Sequence, residues 1–216
     1  MKPLFLTMGM SNNFDGMVLD HQKRHIAYCK KWEYEYKGIT SQEIPIEYDR
    51  YFRIRAILYF MKSKLYSHIF WIDADTFVAN FSYDMRDTLP GWSWLGMTAH
   101  PYKWPPNNGY IDSIHLQCGI FYFRVCEESI AFLEKVLELG NLYEEDQSII
   151  NYLLLENTEE SNRWQKGFKL LSYRWNNTLH DQNNNPIIAA FHGHLSPQAR
   201  RFHMNEVAAK YPYSEE

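Results

Sequence analysis

Residues 3–8 form a short apolar run that stops at Gly9. Such a run closed by a glycine predicts a buried first strand opening into a loop, here residues 9–16, over which a ligand could sit. A helical stretch over residues 20–31 follows. The alternation Trp32, Tyr34, Tyr36 then predicts a strand with its aromatic rings on one face. In residues 49–62 the apolar Ile54, Ile57, Leu58 and Met61 fall at i, i+3, i+4 and i+7, the spacing of a helix with one buried stripe. Residues 68–73 predict the next strand. Ile69, Phe70, Trp71 and Ile72 are apolar on both of its faces, as in the middle of a sheet covered by helices, and the strand runs straight into Asp73, Ala74 and Asp75.

Farther along, residues 94–98 and 116–124 read as strands, and residues 127–139 as a helix with Ile130, Leu133 and Leu137 on one side. A second helix covers residues 145–155. Residues 102–109, with two prolines, two asparagines and a glycine, are a loop, and a tail begins near His194. Strands alternating with helices predict an α/β fold, a three-layer sandwich with a mostly parallel central sheet, in which ligands gather beyond the carboxyl ends of the strands. The 216 residues suit one domain, with a core over residues 1–193 and a tail over 194–216.

Composition narrows the function classes. An apolar fraction of 45% with 22% charged residues is ordinary globular usage, so the chain is expected to fold. A net charge of −4 without a long basic run argues against nucleic acid as the partner and leaves small molecules. Cys29, Cys118 and Cys126 cannot all pair and lack C-x-x-C spacing, which suggests a reducing compartment, the cytoplasm. No stretch of eighteen apolar residues predicts a membrane span, and the N-terminal run is too short for a signal peptide. His21, His25 and Cys29 share a helix face at i, i+4, i+8, but spread too far along it to converge on one ion.

The chemistry concentrates at Asp73 and Asp75. Ionised carboxylates just past a buried strand need a positive partner. A hard divalent cation, Mn²⁺ or Mg²⁺, takes oxygen ligands and commonly bridges carboxylates to substrate phosphates. The bland alternative is a turn in which Asp bonds to backbone amides. Arg53 and Arg55, on the preceding helix, are candidates for bidentate phosphate contacts, although a solvated helix face also accounts for such residues. Cys118, beside Gly119, is a candidate pocket residue, and nothing near it in sequence would make it a nucleophile.

The segment YSHIFWIDADTFV resembles the D-x-D strand of GT-A-fold glycosyltransferases, including the glycogenin-like galactosyltransferases and the fungal α-galactosyl and α-mannosyl enzymes. Three further segments agree in order. LQCGIFYFR resembles the family's asparagine-x-glycine strand, with Gln117 where Asn is usual. EEDQSIINYLL resembles its D-Q-x-x-x-N helix start, and YRWNN with IIAAFHG resembles the approach to the last core strand and its metal-binding histidine. The resemblance implies a metal-dependent hexosyltransferase using a nucleotide sugar, with UDP as nucleotide, retention of configuration, and a glycan or small-molecule acceptor. It implies Asp146 and Gln147 as catalytic and His192 as a third metal ligand beside Asp73 and Asp75. Thr7, Arg53, Arg55, Ala74, Gln117, Cys118, Gly119 and Gly193 become the expected substrate contacts. An Asp at a helix start also serves as a cap, so Asp146 has a structural alternative.

Two competing classes share some of these features. A phosphatase of the haloacid-dehalogenase type also places D-x-D after an apolar strand, with the first Asp as nucleophile. Its pattern wants Thr two residues beyond the second Asp, where this chain has Phe77, and it occupies the first strand. A non-catalytic sugar-binding protein on a transferase fold is the third class.

Overall fold

The computed structural model describes residues 1–43, 50–99, 115–143, 145–178, 185–191 and 195–213. The apolar opening run is strand β1 (Lys2–Met8), and helix α1 (Asn12–Trp32) begins after a loop of only residues 9–11. The predicted helix is thus extended by two turns at its start, because Met17 and Val18 continue its buried face. Trp32 is helical, contrary to the strand expected there. The helix stops at Glu33, whose left-handed backbone (φ 60°) returns its N–H to the helix end, and β2 (Glu35–Ile39) follows.

Helix α2 (Phe52–Lys62) buries Ile54, Ile57, Leu58 and Met61, the stripe predicted from spacing. The chain continues through β3 (Tyr66–Asp73), β4 (Thr76–Val78), β5 (Leu95–Ala99), β6 (Leu116–Arg124), α3 (Glu127–Glu138) and α4 (Asp146–Leu155). It ends with α5 (Glu159–Gln165), β7 (Phe168–Leu170), β8 (Asn177–Thr178), β9 (Ile188–Ala190) and α6 (Pro197–Ala208). The predicted loop at residues 102–109 lies outside the described residues.

The central sheet has the order β2-β1-β3-β6-β5-β7. Pairings β1–β2, β1–β3 and β5–β7 are parallel, while β6 runs antiparallel to both neighbours, β3 and β5. One face carries Leu4, Leu6, Ile69 and Trp71 against Ile54, Phe132 and Ile150 of α2, α3 and α4. The other carries Phe5, Phe70 and Ile72 against Tyr28 of α1 and Ile188 of β9. This is the three-layer α/β sandwich with a mostly parallel sheet that the strand and helix patterns imply. Strand β6 changes face in its middle: Leu116 and Cys118 join the first core, Ile120 and Tyr122 the second. The β5–β6 register shifts at the same level, a bulge centred on Gly119.

Two sequence expectations change here. The segment IIAAFHG does not complete the central sheet; β9 pairs with β4 and β8 in a separate three-stranded sheet. The last strand of the central sheet is β7, three residues with two of them exposed, which leaves almost no apolar pattern to read. The expected tail contains α6, started by Ser196, whose hydroxyl accepts from Ala199 N–H, and by Pro197. Its Met204 and Ala208 pack with Met17, Phe77 and Phe191 in a third core. Arg24, buried in α1, donates to the carbonyls of Val78, Ala208 and Tyr211, and Arg201 of α6 forms an ion pair with Asp20. Gly16 makes room for this pairing, since a Cβ there would lie 2.4 Å from Arg201 Nη1.

Between α1 and the sheet lie buried polar atoms without a hydrogen-bond partner among the described residues: the Thr7 and Tyr36 hydroxyls, His21 Nε2 and both ring nitrogens of His25. The rings of His25, Phe5 and Tyr36 pack together, and His21 stacks on Phe77. Burial, and then the Arg24 charge, pushes His21 down to about 4, and burial holds His25 well below the ordinary imidazole value. Both are neutral in the fold and charge on unfolding as the medium becomes acid. Stability is therefore full above about pH 6.5 and falls as pH drops toward 4, by roughly 1.4 kcal/mol per pH unit for each histidine. In urea titrations between about pH 5 and 6.5, His25→Phe is expected to remove about one proton's worth of this slope. An unchanged slope would show that His25 does not carry it.

Candidate active site

The carboxyl ends of β1, β3 and β5 and the opening of antiparallel β6 all lie at one edge of the sheet, joined there by the start of α4. Asp73 is the last residue of β3, in register with Met8 of β1. Its carbonyl accepts from Thr76 Oγ1 at 2.6 Å, which tightens the turn through Ala74 and Asp75 into β4. The Asp73 carboxylate, 23% exposed, accepts from Trp71 Nε1 at 2.8 Å and from Arg53 Nη1 at 3.2 Å. Asp75 is buried, and Arg200 Nη1 of α6 stands 2.6 Å from its Oδ2.

Arg53 joins the parts. Its Nε and Nη2 grip Asp146 at 2.5 and 2.8 Å, and its Nη1 reaches both Asp73 and the Cys118 carbonyl, the latter at 3.1 Å. One guanidinium thus ties the ends of β3 and α4 to the bulge of β6. Burial alone would push this guanidinium down, but the charges of Asp73 and Asp146 outweigh it and hold Arg53 above the usual arginine value. Asp146 is the first helical residue of α4 and only 1% exposed. The N-cap position belongs to Glu145, and Asp146 follows it in the first turn, where Arg53 binds its carboxylate.

The next residues of α4 fasten it to β6. Gln147 Oε1 accepts from Cys118 N–H at 3.2 Å, and its Nε2 contacts His115 Nε2 at 2.7 Å. Asn151 pairs with both backbone groups of Leu116. The D-Q-x-x-x-N pattern is thereby explained: its three polar side chains face the site arginine and the backbone of a bulged strand. Gln117, on the opposite face of β6, accepts through Oε1 from Thr98 Oγ1 at 3.2 Å and Asn176 Nδ2 at 2.7 Å.

The structure therefore brings together Arg53, Asp73, Cys118, Asp146 and Gln147, with Ala74 and Asp75 in the adjoining turn and Gln117 and Gly119 on the neighbouring strand. Arg55 is exposed on α2. Thr7 is wholly buried, on the face of β1 that carries Phe5. The Cys118 thiol, also wholly buried, is pushed well above the usual thiol value by that burial, which makes it inert as a nucleophile. His192 and Gly193 lie outside the described residues. Arg200 and His115 escaped the sequence reading. The Ser196-Pro197 helix start signals the element that carries Arg200, whereas nothing local marks His115.

Three carboxylates, Asp73, Asp75 and Asp146, meet two guanidiniums here, Arg53 and Arg200. The hard oxygen donors of Asp73 and Asp75 fit a divalent cation, and each already holds a positive group against it. Among the described residues no three His, Cys, Asp or Glu side chains converge on one point, and the expected third ligand is His192.

No protein-family model and no curated protein sequence matches the chain. Solved structures do. A glycosyltransferase involved in the glycosylation of the major capsid of PBCV-1 superposes with a TM-score of 0.70 at 12% identity, over 95% of this chain and 100% of that one. The galactosyltransferase LgtC, in complex with donor and acceptor sugar analogs, gives 0.55 at 13% identity over 99% and 97%. The bifunctional glycosyltransferase WbbM gives 0.59 at 13% identity, with 98% of this chain matching 50% of its own. The chain has the GT-A glycosyltransferase fold. In this GT-A chain the D-A-D motif follows the third strand, which lies inside the sheet, and the phosphatase alternative finds no support. No helix among the described residues is long and apolar enough to cross a membrane.

The Arg53–Asp146 pair can be weighed directly. Arg53→Ala leaves the Asp146 carboxylate buried without its partner and is expected to cost about 3–5 kcal/mol in denaturant unfolding. Arg53→Met combined with Asp146→Leu should recover part of that loss, because the apolar pair removes the buried Asp146 charge and leaves the partly exposed Asp73 carboxylate without its arginine. A cost below about 1 kcal/mol for Arg53→Ala would mean that the pair is solvated, contrary to the geometry.

Proposed function

We propose that this chain is a metal-dependent glycosyltransferase that moves a hexose from a nucleotide-diphosphate sugar to a hydroxyl acceptor, a glycan or small molecule. The observation that carries the reading is the Arg53 bridge, which sets the first aspartate of the D-A-D turn and the aspartate of the D-Q helix around one guanidinium. In this reading they supply the two acidic positions of the site: one toward the diphosphate, one toward the sugar. UDP as the nucleotide and retention of configuration belong to this proposal through the motif resemblance. The three free cysteines suit a reducing compartment, the cytoplasm.

In this reading Asp73 and Asp75, with His192, hold Mn²⁺ or Mg²⁺. The cation, when bound, stabilises negative charge on the departing diphosphate. Arg200 beside Asp75 and Arg53 beside Asp73 add fixed positive charge on the same side. Asp146, oriented through two bonds from Arg53, presents its carboxylate to the positive charge that develops on the sugar or to the incoming hydroxyl. Gln147 keeps α4 seated on β6, so that this carboxylate does not drift.

Calorimetry of nucleoside diphosphates with and without Mn²⁺ tests the metal. Affinity for UDP is expected to rise at least about tenfold with Mn²⁺, and Asp75→Asn should abolish that gain. UDP affinity that is indifferent to EDTA overturns the metal assignment.

Turnover tests the chemistry. Asp146→Asn should cut Mn²⁺-dependent transfer or donor hydrolysis by roughly a hundredfold, with UDP affinity kept within about threefold. Turnover surviving within about threefold would move the catalytic role elsewhere, and binding without any turnover would establish the non-catalytic sugar-binding alternative.

A further inference from the structure

The contact between His115 and Gln147 carries information about protons that neither residue carries alone. Cys118 N–H can only donate, so the Gln147 atom facing it is the carbonyl oxygen, and the Gln147 amide nitrogen faces His115 Nε2 at 2.7 Å. That nitrogen carries two protons and accepts none. His115 Nε2 must therefore be the bare, accepting nitrogen, and the ring is neutral with its proton on Nδ1. The Cys118 N–H depends on this arrangement. The bulge leaves Cys118 outside the paired registers that β6 makes with β3 and β5, and the Gln147 side chain supplies the acceptor that the ladder does not.

We propose that His115 is a positioning residue of the transfer site, which in its neutral, Nδ1-protonated form locks Gln147 onto β6 and releases it when the ring becomes charged. The inference rests on the glycosyltransferase reading for its consequence, though the proton arrangement stands on geometry alone. An imidazolium has N–H groups at both nitrogens, so two donors would face each other at 2.7 Å. Flipping the Gln147 amide relieves that clash but turns its NH₂ toward Cys118 N–H, which is again donor against donor. Either way one of the two bonds breaks. The loss sits one residue from Asp146 and at the strand whose Cys118 carbonyl holds Arg53. Among the described residues, the charged groups that act on the neighbouring Cys118 are Asp146 and Glu145 at the start of α4, Arg53 from α2 and Asp73 from β3. His115 itself is exposed.

Two measurements on the full chain decide the matter. In the first, ¹⁵N-histidine labelling compares wild type with His115→Gln to identify the His115 ring signals. The expected result is Nδ1 protonated and Nε2 bare at about pH 7.5, with the ring charging and the Gln147 side-chain amide signals shifting in one transition on acidification. A ring with its proton on Nε2, or a Gln147 amide indifferent to the charge on the ring, overturns the proposal.

The second is turnover against pH with the donor identified by screening. His115→Gln places a permanent acceptor near the Nε2 position. It should keep turnover within about twofold of wild type at about pH 7.5 while losing the acid-side fall that tracks His115. His115→Ala should lose about tenfold at about pH 7.5, the scale of one hydrogen bond, and the gap to wild type should close on the acid side. An acid limb identical in wild type and His115→Gln rejects the positioning role. Absence of turnover with any nucleotide sugar would instead reject the transferase reading, and the ring measurement would still stand or fall by itself.

Discussion

The site depends on a single guanidinium. Arg53 leaves α2 on the face opposite any solvated role and is enclosed by groups from three other elements: Asp73 ending β3, the Cys118 carbonyl in the bulge of β6, and Asp146 opening α4. Only α2 and β3 are neighbours in sequence; β6 and α4 come much later in the chain. Their relative placement is set by the sheet order and by the two apolar faces, so the core delivers three acceptors to one point and the arginine is the donor that fits them. A planar fork with five N–H groups can satisfy this many acceptors in fixed directions; a lysine in that place could not grip Asp146 through two bonds and still span to Asp73 and Cys118.

The second layer of support comes from the C-terminal part of the chain. The small sheet of β4, β9 and β8 fixes the far side of the D-A-D turn, and Phe191 N–H donates to the Asp75 carbonyl at 2.9 Å. Helix α6 then lies against α1, anchored by Arg24 through backbone carbonyls and by Arg201 through Asp20, and this anchoring brings Arg200 to Asp75. The two aspartates of the turn are thus neutralised from opposite layers of the molecule: Asp73 from the α2 side, Asp75 from the α6 side.

Much of this was legible in sequence, and the limits follow from what a local pattern can encode. Leu116–Arg124 stood out as a strand, the α2 stripe was visible from spacing, and the doubly apolar residues 69–72 marked a buried strand ending in carboxylates. The position of Asp146 near that strand came only through the motif resemblance, since nothing local links residue 146 to residue 73. β7 was missed because two of its three residues are exposed. α6 was missed because its apolar contacts are few, Met204 and Ala208 being its buried residues, although Ser196-Pro197 marked its start. The bulge at Gly119 depends on register with β5 and β3, which no alternation within one strand reports. His115 could not have been found at all, because its role is defined by a partner thirty-two residues away.

The Arg53 cluster is poorly explained as a device for stability. Desolvating a carboxylate such as Asp146, with 1% of its surface exposed, costs several kcal/mol before any pairing is counted, and an apolar pair of similar volume often stabilises a fold as well or better. The same holds for Asp75 and Arg200, whose side chains are 6% and 15% exposed. Two largely buried arginine–carboxylate pairs at the carboxyl edge of one sheet are therefore a cost to the fold. What such an arrangement does supply is preorganisation. Charges of both signs are held in fixed positions, where little reorganisation is needed when a polyanionic ligand arrives or charge develops during reaction. The buried histidines under β1 show the contrast: His25 is neutral, packed among rings and remote in bonding from any carboxylate, and its burial buys no fixed charge. The Arg53 cluster lies on the α2 and α4 side of the sheet and the neutral histidines on the α1 side, and the Arg53 cluster stands at the carboxyl ends of the strands.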